Sequence, residues 1–422
     1  MEYFRIQQNG ALKGSVKIDG AKNAALPILA ASLLGTEEIT LYEVPPLEDV
    51  KVMIDVLRSL NAVVEYIGET TIRINSKNVV NTEMSGELMN RMRASFLVMG
   101  PLLARYGKSK ANMPGGCNIG KRPVDLHLKG FTSLGATIEE EMEAIAAKAP
   151  DGGLIGNDVY LDFPSVGATQ NIMMAATLAK GQTVIENAAK EPEIVDLANF
   201  LNKMGAKVRG AGTSTILING VEKLTGASHT VIPDRVEAAT FLIGAAMTGG
   251  NIRVENVIAS HIRPIIAKLM EVGCEVIEKD DEDVIEVSVN GSLKATKIRT
   301  LPYPGFPTDA QAQFMALMTI CKGTSEVEET VFENRFMHVE ELNKMGALIV
   351  TDGNTAMVKG VGGLNGAKVK ATDLRAGAAL VLAGISATGE TEVHDIYHID
   401  RGYYNLEAKL RKLGAKIVRV VE

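Results

Sequence analysis

One stretch of the 422-residue chain concentrates reactive chemistry: Met113-Pro-Gly-Gly-Cys117-Asn-Ile-Gly-Lys121-Arg122-Pro123. A thiol on a glycine-rich backbone beside two cations is favoured as thiolate, and so suits a nucleophile or a proton donor. The same stretch nearly spells the phosphate loop GxxxxGK. Arg122, however, stands where a Ser or Thr would ligate magnesium, and no strand-to-helix unit clearly frames it, which argues against nucleotide hydrolysis. Cys274 and Cys321 fit buried packing positions, and three cysteines without a CxxC make neither a disulfide framework nor a zinc site. His394 and His398 are four apart, yet Glu392–Ile399 reads as strand and loop, so a metal pair is not expected. His127, just inside a helix after Pro123, either supports a ligand-contacting neighbour or merely lies on its helix face.

A second set of residues is cationic. Lys22, Arg93, Arg235 and Arg375 fall at predicted starts of apolar helices, and Arg122, Arg335 and Arg401 stand near the starts of later, amphipathic ones. Asp309 and Gly167 occupy the same first-helix position in two further copies, with Asn23, Ser165, Asp234 and Asp373 alongside. Helix N-termini carry free N–H groups and partial positive charge, which makes them anion sites. Singly, each residue is explained as a cap or a surface pair. As a group, Lys22, Arg93, Arg122, Arg335, Arg375 and Arg401 are not, because capping favours acidic and hydroxyl residues at that end. The set fits a small substrate rich in phosphate and carboxylate.

The elements that must position these residues repeat six times. An apolar residue followed by Gly-Ala or a close variant recurs at Asn61, Gly135, Gly205, Gly273, Gly346 and Gly414, at intervals of 74, 70, 68, 73 and 68. A second register of turn glycines, Gly35, Gly107, Gly181, Gly249, Gly323 and Gly389, closes the apolar helices. Each unit reads as apolar helix, glycine turn, strand, amphipathic helix, Gly-Ala stop and strand, which predicts an α/β protein. The repeats and the chain length predict two domains of three units, residues 20–230 and residues 231–422, with a seam near Pro233, and residues 1–19 could supply a strand to either. A six-unit solenoid is the alternative on repeats alone.

Composition narrows the function. A net charge of −7, with 44 Lys+Arg against 51 Asp+Glu, excludes a broadly basic nucleic-acid surface. The longest apolar stretches, Ala25–Leu34 and Ala376–Ala387, are too short to span a bilayer. The opening MEYFRIQQNG has no apolar signal core, so a cytoplasmic protein is expected, with no nucleic-acid or membrane partner.

Taken together, Ala21-Lys22-Asn23-Ala-Ala, Met92-Arg93-Ala-Ser, the Cys117 loop through Arg122-Pro-Val-Asp-Leu-His127, Ser165-Val-Gly-Ala-Thr, Pro233-Asp-Arg, Thr330-Val-Phe-Glu-Asn-Arg335-Phe-Met-His, Asp373-Leu-Arg375 and His398-Ile-Asp-Arg401-Gly-Tyr closely resemble the bacterial UDP-N-acetylglucosamine enolpyruvyl transferases. The match runs from end to end, and the cysteine loop separates this family from its sister enzymes of aromatic amino-acid synthesis. The resemblance implies an inside-out α/β barrel of two similar domains, each of three βαβαββ-type units, with the N-terminal segment returning to the later domain and substrate held between the domains. It implies transfer of enolpyruvyl from phosphoenolpyruvate to the sugar 3-hydroxyl, the first committed step of peptidoglycan synthesis, with no metal or cofactor. By resemblance, Cys117 donates the proton and Asp309 is base or orienting group; Lys22 also counts as catalytic. Lys22, Asn23, Arg122, Arg335, Arg375 and Arg401 would bind phosphoenolpyruvate, with Lys22, Arg122 and Arg401 at its phosphate and Arg335 and Arg375 at its carboxylate. Asn23, Arg93, Arg122, Pro123, Val124, Asp125, Leu126, Ser165, Val166, Gly167, Asp309 and Val331 would contact the UDP-sugar. One departure stands out: where the family often carries a lysine before Ser165, this chain has Phe163-Pro164.

Overall fold

The computed structural model describes residues 2–84, 86–112, 124–141 and 144–422, and in it the chain divides into two compact units. Residues 2–19 with 233–422 belong to one, and the described residues between 20 and 232 belong to the other.

In the unit holding residues 20–232, the helices Lys22–Ala31, Met99–Tyr106 and Val166–Ala176 pack against one another, directly or through the 3-10 turn Ser32–Leu34. They are apolar on nearly every face, so they can only be stable inside. Three sheets surround them. Ile39–Tyr42, Lys108–Asn112 and Gln182–Glu186 each follow an inner helix and pair antiparallel with a later strand of their own repeat. Each also takes a parallel neighbour from the end of another repeat. Ser228–Thr230 lies along Ile39–Tyr42, Asp158–Tyr160 lies along Gln182–Glu186, and Glu83 bridges Lys110. The third repeat thereby reaches back to the first, and the three repeats close into a ring. The helices Glu48–Ser59, Asp125–Ser133 and Pro192–Lys203 are amphipathic, each with one buried face.

The other unit repeats the plan with the inner helices Arg235–Met247, Gln311–Met318 and Leu374–Ser386. Its ring is completed by the N-terminus. Glu2–Gln7 inserts antiparallel between Glu390–His394 and Lys416–Val421, with Phe4 opposite Val393, and so supplies the central strand that the sixth repeat lacks. Lys13–Lys17 then runs parallel to Asn251–Glu255 in the fourth repeat. No solenoid forms among the described residues, because Ser228–Thr230 returns to the first sheet of one unit and Lys13–Lys17 joins the first sheet of the other. Among the described residues no helix is long and apolar enough to cross a membrane.

The two sequence registers have different physical roots. Asn61, Gly135, Gly205, Gly273, Gly346 and Gly414 all adopt φ between 75° and 108°, a left-handed stop that asparagine can also supply. In the other register Gly35 differs from its counterparts, with φ of −88°. It is required instead by close approach, since a Cβ there would sit 2.9 Å from the Thr225 carbonyl oxygen. The expectation of strand and loop over Glu392–Ile399 also needs correction: the strand Glu390–His394 is followed by a short helix, Tyr397–Asp400.

Candidate active site

Each unit gathers part of the predicted chemistry. In the unit of residues 20–232, Lys22 opens its helix and its ammonium bonds Asp49 Oδ2 at 3.1 Å, both side chains nearly sealed from solvent. Asp49 lies in the first turn of Glu48–Ser59, where helix N–H groups favour a carboxylate. Asn23 follows Lys22 on the same first turn. Arg93 begins the 3-10 turn Arg93–Val98, leading into Met99–Tyr106. Val124 caps Asp125–Ser133, which carries Asp125, Leu126 and His127.

Ser165 caps Val166–Ala176, its Oγ accepting from the Ala168 N–H at 3.3 Å. Directly behind that turn stands His127. A Cβ on Gly167 would lie 3.2 Å from His127 Cε1 and 3.3 Å from Nε2, so glycine lets the ring pack against the turn. Fully buried Asn171 fixes the ring from the other side. Its Oδ1 accepts from the Gly100 N–H at 2.8 Å, and its Nδ2 reaches the Phe96 carbonyl at 3.1 Å and His127 Nδ1 at 3.0 Å. Because the Asn171 amide nitrogen is the donor, His127 Nδ1 is the acceptor, and a neutral ring carries its proton on Nε2. His127 thus packs against the Ser165–Gly167 turn.

In the other unit Asp309 lies in the 3-10 turn Thr308–Ala310 that opens Gln311–Met318. Two buried guanidiniums converge on it. Arg335 Nη2 donates to Oδ1 at 3.0 Å, and Arg375 Nη2 donates to Oδ2 at 3.3 Å. Arg335 lies over the Phe332 ring and Arg375 over the Tyr403 ring. Burial disfavours the charge of Arg375, but Tyr403, Asp309 and Asp234 outweigh it and hold the group above the usual arginine range. Tyr403 is tied in turn to Thr240, at 2.8 Å, and to Gln313, whose Nε2 also reaches the Asp309 carbonyl at 3.0 Å. Asp309 thus serves both guanidiniums, and Asp234 acts on Arg375 as well. Arg335 Nη1 and Arg375 Nη1 are buried and meet no acceptor among the described residues. Such a cluster is suited to hold a further carboxylate.

Val331 lies on the loop leading to Arg335. Arg401 is half-buried at the end of Tyr397–Asp400, and its charge adds to burial in lowering the nearby His398. Cys117, Arg122 and Pro123 lie outside the described residues. Cys274 and Cys321 are buried, as their positions predicted, and burial pushes their thiols up to about 11 and about 12. His394 is engaged by Glu392 at 3.1 Å and stacks on Tyr3.

Several supporting residues escaped the sequence reading: Asp49, Asn171, Gln313 and Glu329. Asn171 and Gln313 did leave a trace, since Gln170-Asn171 and Gln311-Ala-Gln313 place amides in mainly apolar helices.

A family model described as EPSP synthase (3-phosphoshikimate 1-carboxyvinyltransferase) matches residues 6–410, and the chain belongs to that family. Within it, the chain is 67% identical over 420 residues to the UDP-N-acetylglucosamine 1-carboxyvinyltransferase of Finegoldia magna, covering 100% of this chain and 99% of the relative. It is 60% identical over 417 residues to UDP-N-acetylglucosamine 1-carboxyvinyltransferase 1 of Caldanaerobacter subterraneus, covering 99% of each. Among solved structures, the enolpyruvyl transferase NikO of Streptomyces tendae superposes with a TM-score of 0.88 at 22% identity, covering 99% of this chain and 98% of NikO. EPSP synthase of Acinetobacter baumannii superposes with a TM-score of 0.77 at 19% identity, over 100% of both chains. These likenesses establish the two-domain inside-out α/β fold.

Proposed function

We propose that this chain transfers the enolpyruvyl group of phosphoenolpyruvate to the 3-hydroxyl of UDP-N-acetylglucosamine and releases phosphate, serving peptidoglycan synthesis in the cytoplasm. The observation that carries the reading is the identity of 67% along the full length of a relative bearing that activity's name. The convergence of Arg335 and Arg375 on Asp309 supports it.

The reaction adds a proton to the methylene carbon of phosphoenolpyruvate while the sugar oxygen bonds to its central carbon. The resulting tetrahedral ketal then loses phosphate and one methyl proton, restoring the double bond. Cys117 supplies the first proton and Asp309 receives or orients the one on the sugar hydroxyl. Arg335 and Arg375 hold the substrate carboxylate, Lys22, Arg122 and Arg401 hold the phosphate as it departs, and Asn23 contacts both substrates. Arg93, Pro123, Val124, Asp125, Leu126, the Ser165–Gly167 turn and Val331 bind the UDP-sugar. The description of the family model favours one other acceptor, shikimate 3-phosphate. Phosphate release assayed with each acceptor separates the two: release with the UDP-sugar supports the proposal, and release only with shikimate 3-phosphate overturns it.

A further inference from the structure

Glu329 follows the strand Thr324–Glu328, is 3% exposed, and has no place in the chemistry above. Its carboxylate nonetheless holds together two pieces of the Asp309 cluster. Oε2 accepts from Thr308 Oγ1 at 2.9 Å, and Thr308 is the residue before Asp309 in the turn that presents it. Oε1 accepts from the Val331 N–H at 2.9 Å, the Phe332 N–H at 3.2 Å and Thr300 Oγ1 at 2.8 Å. Phe332 is the ring beneath the Arg335 guanidinium. Thr330 stitches the same loop to Thr300 through its own N–H, at 2.9 Å.

Resting on the proposed function, we infer that Glu329 is a positioning residue that locks the Asp309 turn and the Val331–Arg335 loop in one arrangement. The physical argument is one of donor matching. A carboxylate is acceptor-only, so both oxygens can take all four donors, two hydroxyls and two backbone N–H groups, at once. An alanine there would remove the acceptor for all four donors at once. Buried polar groups left without partners drive rearrangement, and a shift of about 1 Å in a reacting group costs about 100-fold in rate. Glu329 touches no reacting atom, so its effect must pass through Asp309 and Arg335.

The test uses the full chain and four variants: Glu329→Ala, Thr308→Val, Thr308→Ser and the double variant T308V/E329A. At saturating phosphoenolpyruvate and UDP-N-acetylglucosamine, Glu329→Ala and Thr308→Val each lower kcat about 10- to 100-fold, while Thr308→Ser, which keeps the hydroxyl, stays within about twofold of wild type. The double variant is no slower than Glu329→Ala alone, because Glu329→Ala already breaks the bond that Thr308→Val removes. Should Glu329→Ala fail to fold, the contrast between Thr308→Val and Thr308→Ser decides. Hydrogen exchange at the Val331 and Phe332 amides gives a readout independent of turnover, and Glu329→Ala speeds both about tenfold while the preceding strand keeps its protection. Equal kcat for Thr308→Val and Thr308→Ser, losses that multiply in the double variant, or unchanged exchange at Val331 and Phe332 would overturn the inference. Absence of sugar-dependent phosphate release by the wild type overturns the functional reading instead, and leaves the exchange experiment to judge Glu329.

Discussion

Arg335, all but excluded from solvent, donates through Nη2 to Asp309 Oδ1 at 3.0 Å, joining residues 26 positions apart. The pair is not an isolated ion pair, because Arg375 occupies the other carboxylate oxygen. Removing the carboxylate therefore takes one shared acceptor from two buried cations.

Asp309→Ala is expected to lower kcat by about 100- to 10,000-fold, the range for a positioned acid or base. It should also destabilise the fold by about 3–5 kcal/mol, the usual effect of breaking a buried ion pair. Steady-state kinetics and denaturant unfolding check both. A stable variant with normal turnover would remove Asp309 from the mechanism.

The thiols should separate cleanly. Cys274 and Cys321 are buried and pushed up to about 11 and about 12, so at pH 8 they stay protonated and shielded. Titration of the native chain with a thiol reagent is expected to modify Cys117 alone, and all three cysteines after unfolding. Prompt native labelling of Cys274 or Cys321 would contradict the buried geometry. Cys117→Ser should be inactive, whereas Cys117→Asp should retain turnover, because a carboxyl group can deliver a proton and a serine hydroxyl cannot at this acidity.

Gly167→Ala forces His127 to move or the turn to shift, since the new Cβ would meet the ring at 3.2 Å. The KM for UDP-N-acetylglucosamine is expected to rise severalfold, with a stability loss of about 1–3 kcal/mol from overpacking. Gly291→Ala, with open space around it, is the neutral control. Indistinguishable kinetics for the two variants would separate the His127 contact from binding.

Two buried groups give opposite pH dependences. Burial raises Glu237 to about 7 against the opposing pull of Lys409, so its contribution is present below pH 4.5 and is lost as pH rises toward 7. Burial and Arg335 lower His338 to about 4, so its contribution is present above pH 6.5 and is lost as pH falls toward 4. Wild-type stability should therefore vary little between pH 5 and 6.5. Glu237→Gln should unmask stability that rises with pH, and His338→Gln stability that falls with it. Denaturation midpoints across that range test the signs, and parallel profiles for the two variants would refute them.

The sixfold periodicity, the buried helices and the polar residues at their starts were legible because they repeat locally. Asn61 in place of glycine did not hide its turn, since asparagine also tolerates a positive φ, here 75°. What could not be read are bonds between distant positions. Asn171 meets Phe96 across 75 residues, Gln313 meets Tyr403 across 90 and Thr240 meets Tyr403 across 163. None of these leaves a local spacing. Glu329 was hidden for another reason: a lone glutamate after a strand looks like any surface residue until burial is known.

The most direct measurement is phosphate release from phosphoenolpyruvate with and without UDP-N-acetylglucosamine, followed by intact mass after exposure to a phosphonate epoxide. The proposed function requires release that depends on the UDP-sugar, together with a single adduct that maps to Cys117. Release driven by shikimate 3-phosphate alone, or an adduct on any other residue, would contradict it.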